Sequence, residues 1–257
     1  MRSQTFYGGR NQLAGGGVIL AVDAGNSRVK WGMHDCLAWR RKGWAANADS
    51  TALERDWSIL ETPAKIVISN VAGDAMRRRL EQAFSRWAAK TCWITSLPEQ
   101  CGVYNRYDNP VQLGCDRWAA LIAARRRCAG GCVVVNAGTA VTVDALADDG
   151  VFLGGMILPG LAPMRHALAL HTAKLTVAGG CFSLFPTNTA DALHSGILSA
   201  TAGAVEKMVV ALTEKQGKAP LCLISGGDAG LVRDRLSVEA TIVDNLVLDG
   251  LIEIALG

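Results

Sequence analysis

The chain has 257 residues, of which 50% are hydrophobic and 19% are charged, and its formal net charge is +3. This hydrophobic content is enough for a sizeable core and argues against a largely disordered protein. The small net charge does not indicate a nucleic-acid-binding face. The densest basic runs, at residues 40–42, 77–79 and 125–127, are interpreted as solvated faces of helices or turns.

The cysteines and the N-terminal residues indicate a reduced, cytoplasmic protein. None of the eight cysteines forms a C-x-x-C pair and no histidine cluster accompanies them, so a zinc site is not predicted. Residues 1–17 are glycine-rich and polar, lack the apolar segment of a secretory signal, and are predicted to be a flexible leader. No apolar stretch reaches about 18 residues without a charge or a breaker, so no membrane span is expected.

The first predicted structure in chain order is a strand, a tight turn and a second strand. Residues 18–23 form an apolar run rich in β-branched side chains, and an extended pattern resumes over residues 27–33. Residues 37–44 fit a third strand. Farther along, residues 65–70 are predicted to be a buried strand and residues 74–89 an amphipathic helix.

The turn between the first two strands has the chemistry of a phosphate site. A glycine such as Gly25 in a tight turn lets backbone N–H groups approach an anion. Asp23 offers a carboxylate for the magnesium ion that accompanies phosphate, and Lys30 adds a positive charge. Taken alone, the same residues also describe a plain hairpin turn.

A second constellation precedes a helix that is predicted over residues 115–128. Its sequence, YDNPVQLGCDRW, places Asp116 and Arg117 in the first turn of that helix, where free N–H groups favour an ionised carboxylate. Asp116 can accept a proton from an alcohol, and Arg117 can hold a carboxylate in a bidentate pair. The alternative interpretation is structural: Asp116 merely occupies a favourable position in the first turn of the helix, and Arg117 forms an ion pair on the surface.

The strand–turn–strand layout occurs a second time, roughly 110 residues later. Strands are predicted over residues 132–135, 140–145 and 151–157, and the turn between the first two contains Asn136, Gly138 and Thr139. A repeat at this distance indicates two similar subdomains rather than a solenoid.

The remaining chain alternates helices and strands, which makes the class α/β. Helices are predicted over residues 161–171, 188–215 and 246–256, and a buried strand over residues 221–225 is followed by Gly226 and Gly227. No Walker A motif and no G-x-G-x-x-G fingerprint in a βαβ unit occurs, so those two nucleotide-binding folds are not predicted.

The two hairpins resemble the phosphate loops of the actin-like ATPase superfamily, which includes hexokinase and actin. In that superfamily the two loops face each other across a cleft and clasp the nucleotide phosphates. Residues 225–228 are similar to the superfamily's adenosine loop. The resemblance implies two similar actin-like ATPase (ribonuclease H-like) subdomains, over residues 18–115 and 116–257, with a nucleotide cleft between them.

The ordered set of motifs resembles one family in particular, the type III pantothenate kinases, which include the Bvg accessory factor. The stretches DAGNSRVK, YDNPVQLGCDR and AGTAVTVDALADDGVFLGGMILPG match its patterns in order and spacing. The segment from Asn188 to Gly196 is similar to the family's helix that begins with Asn-Thr. Together these stretches cover the chain from about residue 18 to residue 228.

The resemblance implies a role for each matched position, with Asp116 as the proton acceptor and Asp23 holding Mg²⁺, directly or through water. The positions implied for ATP are Asp23, Ala24, Gly25, Asn26, Ser27, Arg28, Val29, Lys30, Gly138, Thr139, Gly226 and Gly227. The positions implied for pantothenate are Tyr107, Gly114, Cys115, Asp116, Arg117 and Thr189.

One position departs from the family pattern. The family often has an acidic residue where Asn136 stands, and that carboxylate helps to bind a monovalent cation, ammonium or potassium. The resemblance further implies a homodimer that phosphorylates pantothenate with ATP, while the composition predicts a cytoplasmic protein that binds neither nucleic acid nor membrane. A sugar kinase of the same superfamily and a non-catalytic regulator on the same fold are the alternative hypotheses.

Overall fold

The computed structural model describes residues 17–171 and 179–257, so the predicted leader lies outside the described residues except for Gly17. The chain divides into two compact units. The first unit runs to Ile94 and also contains Leu251–Gly257, and the second unit is Thr95–Gly250. The subdomain limits predicted from the sequence, 18–115 and 116–257, differ from this division by compactness and stay a prediction.

The first unit contains one five-stranded sheet. Its strands are β1 (Ile19–Ala24), β2 (Arg28–His34), β3 (Trp39–Ala46), β4 (Lys65–Asn70) and β5 (Thr91–Trp93), in the order β3-β2-β1-β4-β5. β1, β2 and β3 are antiparallel neighbours, whereas β4 and β5 run parallel to β1. Two helices, α1 (Ser50–Ser58) and α2 (Asp74–Ala83), belong to the same unit.

One face of this sheet carries the core of the first unit. Because side chains alternate along a strand, Leu20, Val22 and Ala24 of β1 point to the same face as Val29 and Trp31 of β2. All five are buried in a single hydrophobic cluster that also includes residues of α1 and α2. The alternation places Asp23 on the opposite face, away from that cluster.

The helix predicted over residues 74–89 is shorter than expected. α2 ends at Ala83, and a 3₁₀ turn covers Ser85–Lys90. The break falls at Phe84, whose ring is buried and lies 4.6 Å from the ring of Trp57 and 6.3 Å from that of Trp87. Packing of three aromatic rings therefore overrides the continuous helical pattern.

The second unit contains a seven-stranded sheet in the order β12-β11-β8-β9-β10-β7-β6. The strands are β6 (Glu99–Gln100), β7 (Val103–Asn105), β8 (Cys132–Ala137), β9 (Ala140–Leu146), β10 (Val151–Pro159), β11 (Leu221–Ser225) and β12 (Thr241–Ile242). The helices that begin in this unit are α3 (Cys115–Arg127), α4 (Leu161–His171), α5 (Thr189–Gln216), α6 (Ala229–Arg233) and α7 (Leu246–Leu256).

The two sheets share one topology. In each sheet an antiparallel hairpin and a third antiparallel strand lie on one side, and two parallel strands lie on the other. This gives the order β3-β2-β1-β4-β5 in the first unit and β10-β9-β8-β11-β12 in the second. The predicted repeat of two similar α/β subdomains is confirmed by this match.

α5 is the longest helix in the described part of the chain, and its ends are defined by the sequence. The side chain of Asn188 caps its first turn, and Gly217 ends it in the left-handed conformation with φ 70°. By length and composition α5 could cross a membrane, and 44% of its most apolar window is buried. Val205, Val209 and Leu212 belong to the hydrophobic core of the second unit, and a core helix of this kind passes the same test.

Candidate active site

The first turn, residues 24–28 between β1 and β2, holds the predicted phosphate-binding residues of the first unit. The N–H group of Gly25 donates to the carbonyl oxygen of Arg28 at 3.0 Å, which closes the turn. Asp23 lies directly opposite Lys30 in the ladder, so the carboxylate and the ammonium group share one face of the sheet. The turn thus places a negatively charged and a positively charged side chain next to exposed backbone.

The predicted ATP residues of this segment differ in what they can offer a ligand. Asn26, Ser27 and Arg28 are exposed, whereas Ala24 and Val29 are fully buried in the hydrophobic core. The two buried residues can therefore offer a nucleotide only their backbone groups.

The second turn, residues 137–140 between β8 and β9, occupies the corresponding place in the second unit and is one residue shorter. The N–H group of Gly138 donates to the carbonyl oxygen of Ala140 at 3.1 Å. Thr139 is exposed at its tip, and Asn136 is partly buried just before it, opposite Thr142 in the ladder.

Two neighbouring segments pack against the second turn. The N–H group of Gly160, after β10, donates to the Thr139 carbonyl oxygen at 2.9 Å, and that of Asp228, after β11, donates to the Ala137 carbonyl oxygen at 3.1 Å. A side chain at position 160 would overlap backbone atoms of the turn, and so would one at Gly226, whose φ is 108°. Three loops at the same edge of the sheet are therefore held together by close backbone contact.

Gly138 allows a clean test of the second turn. A Cβ atom there would meet only the Ala140 carbonyl oxygen at 3.7 Å, so Gly138→Val should fold normally. We expect the affinity for ATP to fall by about 10-fold or more, because the added bulk blocks close backbone approach to phosphate. Titration calorimetry with a non-hydrolysable ATP analogue measures the effect.

The matched control for this variant is Gly130→Val, because Gly130 also has open space around it and lies before β8, at the other end of that strand. The control should bind nucleotide as the parent does. Unchanged affinity in Gly138→Val would place the phosphates elsewhere.

A buried ion pair dominates the start of α3. Arg117 donates to Asp144 of β9 through Nε at 3.1 Å and through Nη2 at 2.5 Å, and its Nη1 donates to the Tyr107 hydroxyl oxygen at 3.0 Å. The side chains of Arg117 and Asp144 are only 5% and 2% exposed. The edge of the guanidinium group that could hold a substrate carboxylate therefore binds an internal carboxylate, and contact of Arg117 with a substrate stays a prediction.

The charge of Arg117 is fixed by this environment. Burial alone would lower the pKa of the guanidinium group, but the hydrogen bonds and charge of Asp144 raise it above its ordinary value. The ring of Tyr107 lies 5.7 Å from the guanidinium carbon, and that of Phe152 lies 5.9 Å from it. Arg117 thus serves as a permanently charged centre around which the neighbouring side chains are ordered.

Asp144 was not among the residues found from the sequence. Its partner in the ladder is Gly155 of β10, where a Cβ atom would overlap the Asp144 carboxylate and lie 2.8 Å from Nη2 of Arg117. Position 155 must therefore be a glycine for the ion pair to fit. A glycine inside a strand signals close approach of another group, and this signal beside an acidic strand residue could have identified the pair.

Asp116 lies next to this cluster and is partly buried. Its Oδ1 accepts the N–H group of Arg117 at 2.8 Å, and a Cβ atom at Gly114 would lie 2.6 Å from that oxygen. The hydrogen bond from the helix start favours the ionised carboxylate, as the sequence argument expected, but it does not decide the net direction of the pKa shift. Burial raises the pKa of Asp116 by more than the hydrogen bond and the charge of Arg117 lower it.

The other predicted pantothenate residues lie on two different helices. Cys115 is the first residue of α3 and is partly buried, whereas Thr189 is the first residue of α5 and is exposed. Among the described residues, no hydrogen bond joins Thr189 to Tyr107 or to Asp116. The structure therefore brings Tyr107, Asp116 and Arg117 together and leaves Thr189 on a separate element.

Comparison with known proteins assigns the family. A family model described as type III pantothenate kinase matches residues 19–211. The curated type III pantothenate kinase of Nitrosospira multiformis is 50% identical over 238 residues, which cover 93% of this chain and 91% of that protein.

The chain belongs to the type III pantothenate kinase family.

Solved structures of similar fold agree at the level of architecture. A Campylobacter jejuni protein described as a conserved Baf family transcriptional activator has a TM-score of 0.59 at 22% identity, and the match covers 91% of this chain and 96% of that one. A Sinorhizobium meliloti protein described as a 2-dehydro-3-deoxygalactonokinase has a TM-score of 0.57 at 18% identity, with coverages of 92% and 98%. These likenesses confirm the predicted actin-like ATPase fold.

The family match covers most of the candidate site. Its range, residues 19–211, includes the first turn, Asp116, the second turn and Thr189, while Gly226 and Gly227 lie beyond it. In this pantothenate kinase family member, the described residues contain no group of three or more His, Cys, Asp and Glu side chains that could hold a metal ion. The role of Asp23 at a Mg²⁺ site stays a prediction, and such a site would need few protein carboxylates because Mg²⁺ takes most of its ligands from phosphate oxygens and water.

Proposed function

We propose that this chain transfers the γ-phosphoryl group of ATP to the primary hydroxyl of pantothenate, giving 4'-phosphopantothenate in the first step of coenzyme A biosynthesis. The observation that carries the proposal is a partly buried carboxylate, Asp116, beside the fixed Tyr107–Arg117–Asp144 cluster in a member of this family. A sugar kinase of the same superfamily is disfavoured by the motif around Asp116.

Asp116 is the proposed base. Its raised pKa makes the ionised carboxylate a stronger proton acceptor than an exposed aspartate, which suits deprotonation of an alcohol at near-neutral pH. Arg117 is locked by Asp144, so its backbone N–H group, which binds Oδ1 of Asp116, is held in place as well. Orientation of the base by this cluster is the protein's main contribution to the acceptor side of the reaction.

The donor side is proposed to be the two turns. The first turn would contact the phosphates through backbone N–H groups and Lys30, and the second through Gly138 and Thr139. Gly226 and Gly227 would border the adenosine, and a Cβ atom at Gly227 would meet nothing within 4 Å, which leaves room for a ligand. Asp23 would hold Mg²⁺, whose charge neutralises the phosphate oxygens as the phosphoryl group moves.

The test is an assay of the purified full chain with Mg-ATP and pantothenate in the presence of either potassium or ammonium, with the phosphorylated product identified by mass spectrometry. Transfer to pantothenate supports the proposal. Transfer to hexoses but not to pantothenate would favour the sugar-kinase hypothesis. No transfer to any acceptor with either cation would favour the non-catalytic regulator.

The response to monovalent cations is expected to be abnormal for the family, because Asn136 supplies a neutral oxygen where a carboxylate is common. Asn136→Asp should lower the potassium or ammonium concentration that gives half-maximal activity, because a cation binds a charged oxygen more tightly. Asn245→Asp, which adds the same charge in the loop before α7, is the control. Identical cation titrations for Asn136→Asp and the parent would show that position 136 is not a ligand.

We also propose that the protein acts as a homodimer, as the family resemblance implies, and that it is cytoplasmic, as the cysteines and the N-terminal residues indicate. The second unit exposes large apolar side chains close to α4 and to the segment before α5. Leu170, Leu184 and Phe185 are 82%, 78% and 88% exposed. Large contiguous apolar patches mark protein–protein interaction sites, and a dimer interface here would cover these side chains. Sedimentation that shows only monomer at the concentration of the activity assay would overturn this proposal.

A further inference from the structure

The first turn is held from one side by a single residue, Asn47, which follows β3. Nδ2 of Asn47 donates to the carbonyl oxygens of Gly25 at 2.9 Å and of Asn26 at 2.8 Å. The backbone N–H group of Asn47 donates to the carbonyl oxygen of Ser27 at 3.0 Å. Three successive carbonyl groups of the turn therefore point at one residue.

This arrangement fixes where the N–H groups of the turn point. In a planar trans peptide the carbonyl oxygen and the following N–H group point in opposite directions. Because the carbonyl groups of Gly25 and Asn26 face Asn47, the N–H groups of Asn26 and Ser27 face away from it. Two successive N–H groups directed to the same side form an anion-binding concavity, which is the arrangement that a phosphate group needs.

The orientation of the Asn47 side-chain amide is determined by hydrogen bonding rather than by steric fit. Rotating the amide by half a turn would place Oδ1 against two carbonyl oxygens, where no hydrogen bond is possible. In the present orientation Oδ1 is buried and accepts no hydrogen bond from the part of the chain that the structure describes, which is unfavourable by itself. The two contacts made by Nδ2 offset that cost.

Asn47 is in turn anchored to α2. Nη1 of Arg79 donates to the carbonyl oxygen of Asn47 at 3.1 Å, and its Nη2 donates to that of Asp49 at 3.3 Å. The N–H group of Asp49 also donates to the carbonyl oxygen of Ala46 at 2.9 Å. The backbone around Asn47 is thus held by hydrogen bonds to α2 and by a bond between Asp49 and Ala46. The Asn47 side chain therefore restrains the first turn from a fixed position.

We propose that Asn47 is a positioning residue for the nucleotide: it fixes the peptide planes of the first turn so that their N–H groups are aimed at phosphate before the nucleotide binds. The inference rests on the proposed function, because it assumes that this turn receives phosphate. It extends that function to a residue outside the turn that needs no contact with the nucleotide.

The test is Asn47→Ala, which removes both side-chain hydrogen bonds and leaves the backbone bond to Ser27. We expect the dissociation constant of a non-hydrolysable ATP analogue with Mg²⁺, measured by calorimetry, to rise about 10-fold, and the KM for ATP to rise with it. The KM for pantothenate should stay within about twofold of the parent value, because the acceptor site is built from other residues.

Asp49→Ala is the matched control. Asp49 caps α1 by accepting the N–H group of Ala52 at 3.0 Å, and its side-chain hydrogen bonds with described residues go to Thr51 and Ala52 of that helix. Its loss should lower the melting temperature without changing nucleotide affinity, which separates local destabilisation from positioning of the turn. Asn47→Asp, which keeps the shape but removes both donors, serves if the alanine variant does not fold, and should weaken nucleotide binding at least as much.

The outcomes separate the two proposals. If the parent binds nucleotide and Asn47→Ala and Asn47→Asp bind it equally tightly, the positioning role is overturned and the proposed function stands. An equal loss of ATP and pantothenate affinity in the variants would also overturn it. A parent chain that binds no nucleotide overturns the proposed function, and the inference with it.

Discussion

Asp116→Asn is expected to lower kcat by about 10²-fold or more while nucleotide affinity changes little. The amide keeps the size of the carboxylate and can still accept the N–H group of Arg117, but it cannot take a proton from the substrate hydroxyl. A base that acts only in the transition state affects turnover more than ground-state binding. Steady-state kinetics and calorimetry on the same preparations measure both quantities.

The pH dependence of the parent provides a second measure of the same assignment. Because burial raises the pKa of Asp116, activity should be lost as the pH falls through a value above that of an ordinary aspartate. The residual activity of Asp116→Asn should not show this loss at low pH, which is the acid limb of the pH profile. An acid limb that persists unchanged in the variant would assign it to another group.

Stability separates a catalytic Asp116 from a structural one. Since folding raises its pKa, the folded state favours the protonated form, so the stability that this group contributes is present at low pH and is lost as the pH rises through the folded-state pKa. A neutral asparagine avoids that loss, so at neutral pH the variant should melt at or above the parent temperature. A variant that is destabilised yet turns over at near the parent rate would show that the catalytic assignment is wrong.

Asp144→Asn is expected to destabilise the protein by about 3–5 kcal/mol, because it leaves Arg117 charged and buried without its partner carboxylate. Denaturant titration at neutral pH measures the free energy of unfolding. The exposed Asp148, on the turn at the end of the same strand, provides the control, since Asp148→Asn should change that free energy by less than about 0.5 kcal/mol.

A double variant tests whether the loss comes from the unpaired charge. Arg117→Met combined with Asp144→Leu removes both charges and should recover much of the stability lost in Asp144→Asn, while activity stays low because the cluster no longer orders Tyr107 and Asp116.

The Asp144→Asn protein that still folds should lose its activity at a lower pH than the parent does. The reason is that the unpaired charge of Arg117 favours ionised Asp116 more strongly. A melting curve for Asp144→Asn that matches the parent would contradict the importance of the pair.

Most of the fold could be predicted from the sequence because its signals are local. The hairpins around Gly25 and Gly138 are marked by runs of β-branched residues that stop at a turn, and the turn chemistry is contained within five residues. The start of α3 just after Gly114 was predicted from the sequence, and the predicted end of the helix at residue 215 lies within two residues of the left-handed Gly217 that ends α5. The sequence thus determined the α/β class, the repeat of the hairpin and the family.

Tertiary structure alone decided the short elements. β6 and β12 have two residues each, too few for any periodic pattern, and they exist because an adjacent strand supplies hydrogen-bond partners. The early end of the helix at Phe84 has the same origin, because contacts with Trp57 and Trp87 override a continuous local preference.

The features of the candidate site also divide into those that the sequence reveals and those that only the tertiary structure reveals. Asp116 stands in a recognisable motif, but its pKa depends on burial that the motif does not reveal, and the local effect of the helix start has the opposite sign. Asp144 lies within β9 and Asn47 directly follows β3, and neither stands in an unusual sequence pattern. The residues that they bind lie 27 and 22 positions away in the chain. Residues that act by holding another residue in place leave no signal at their own position, because their role consists of a contact that only the folded chain brings about, and the one indication of Asp144 stands at Gly155 on the neighbouring strand.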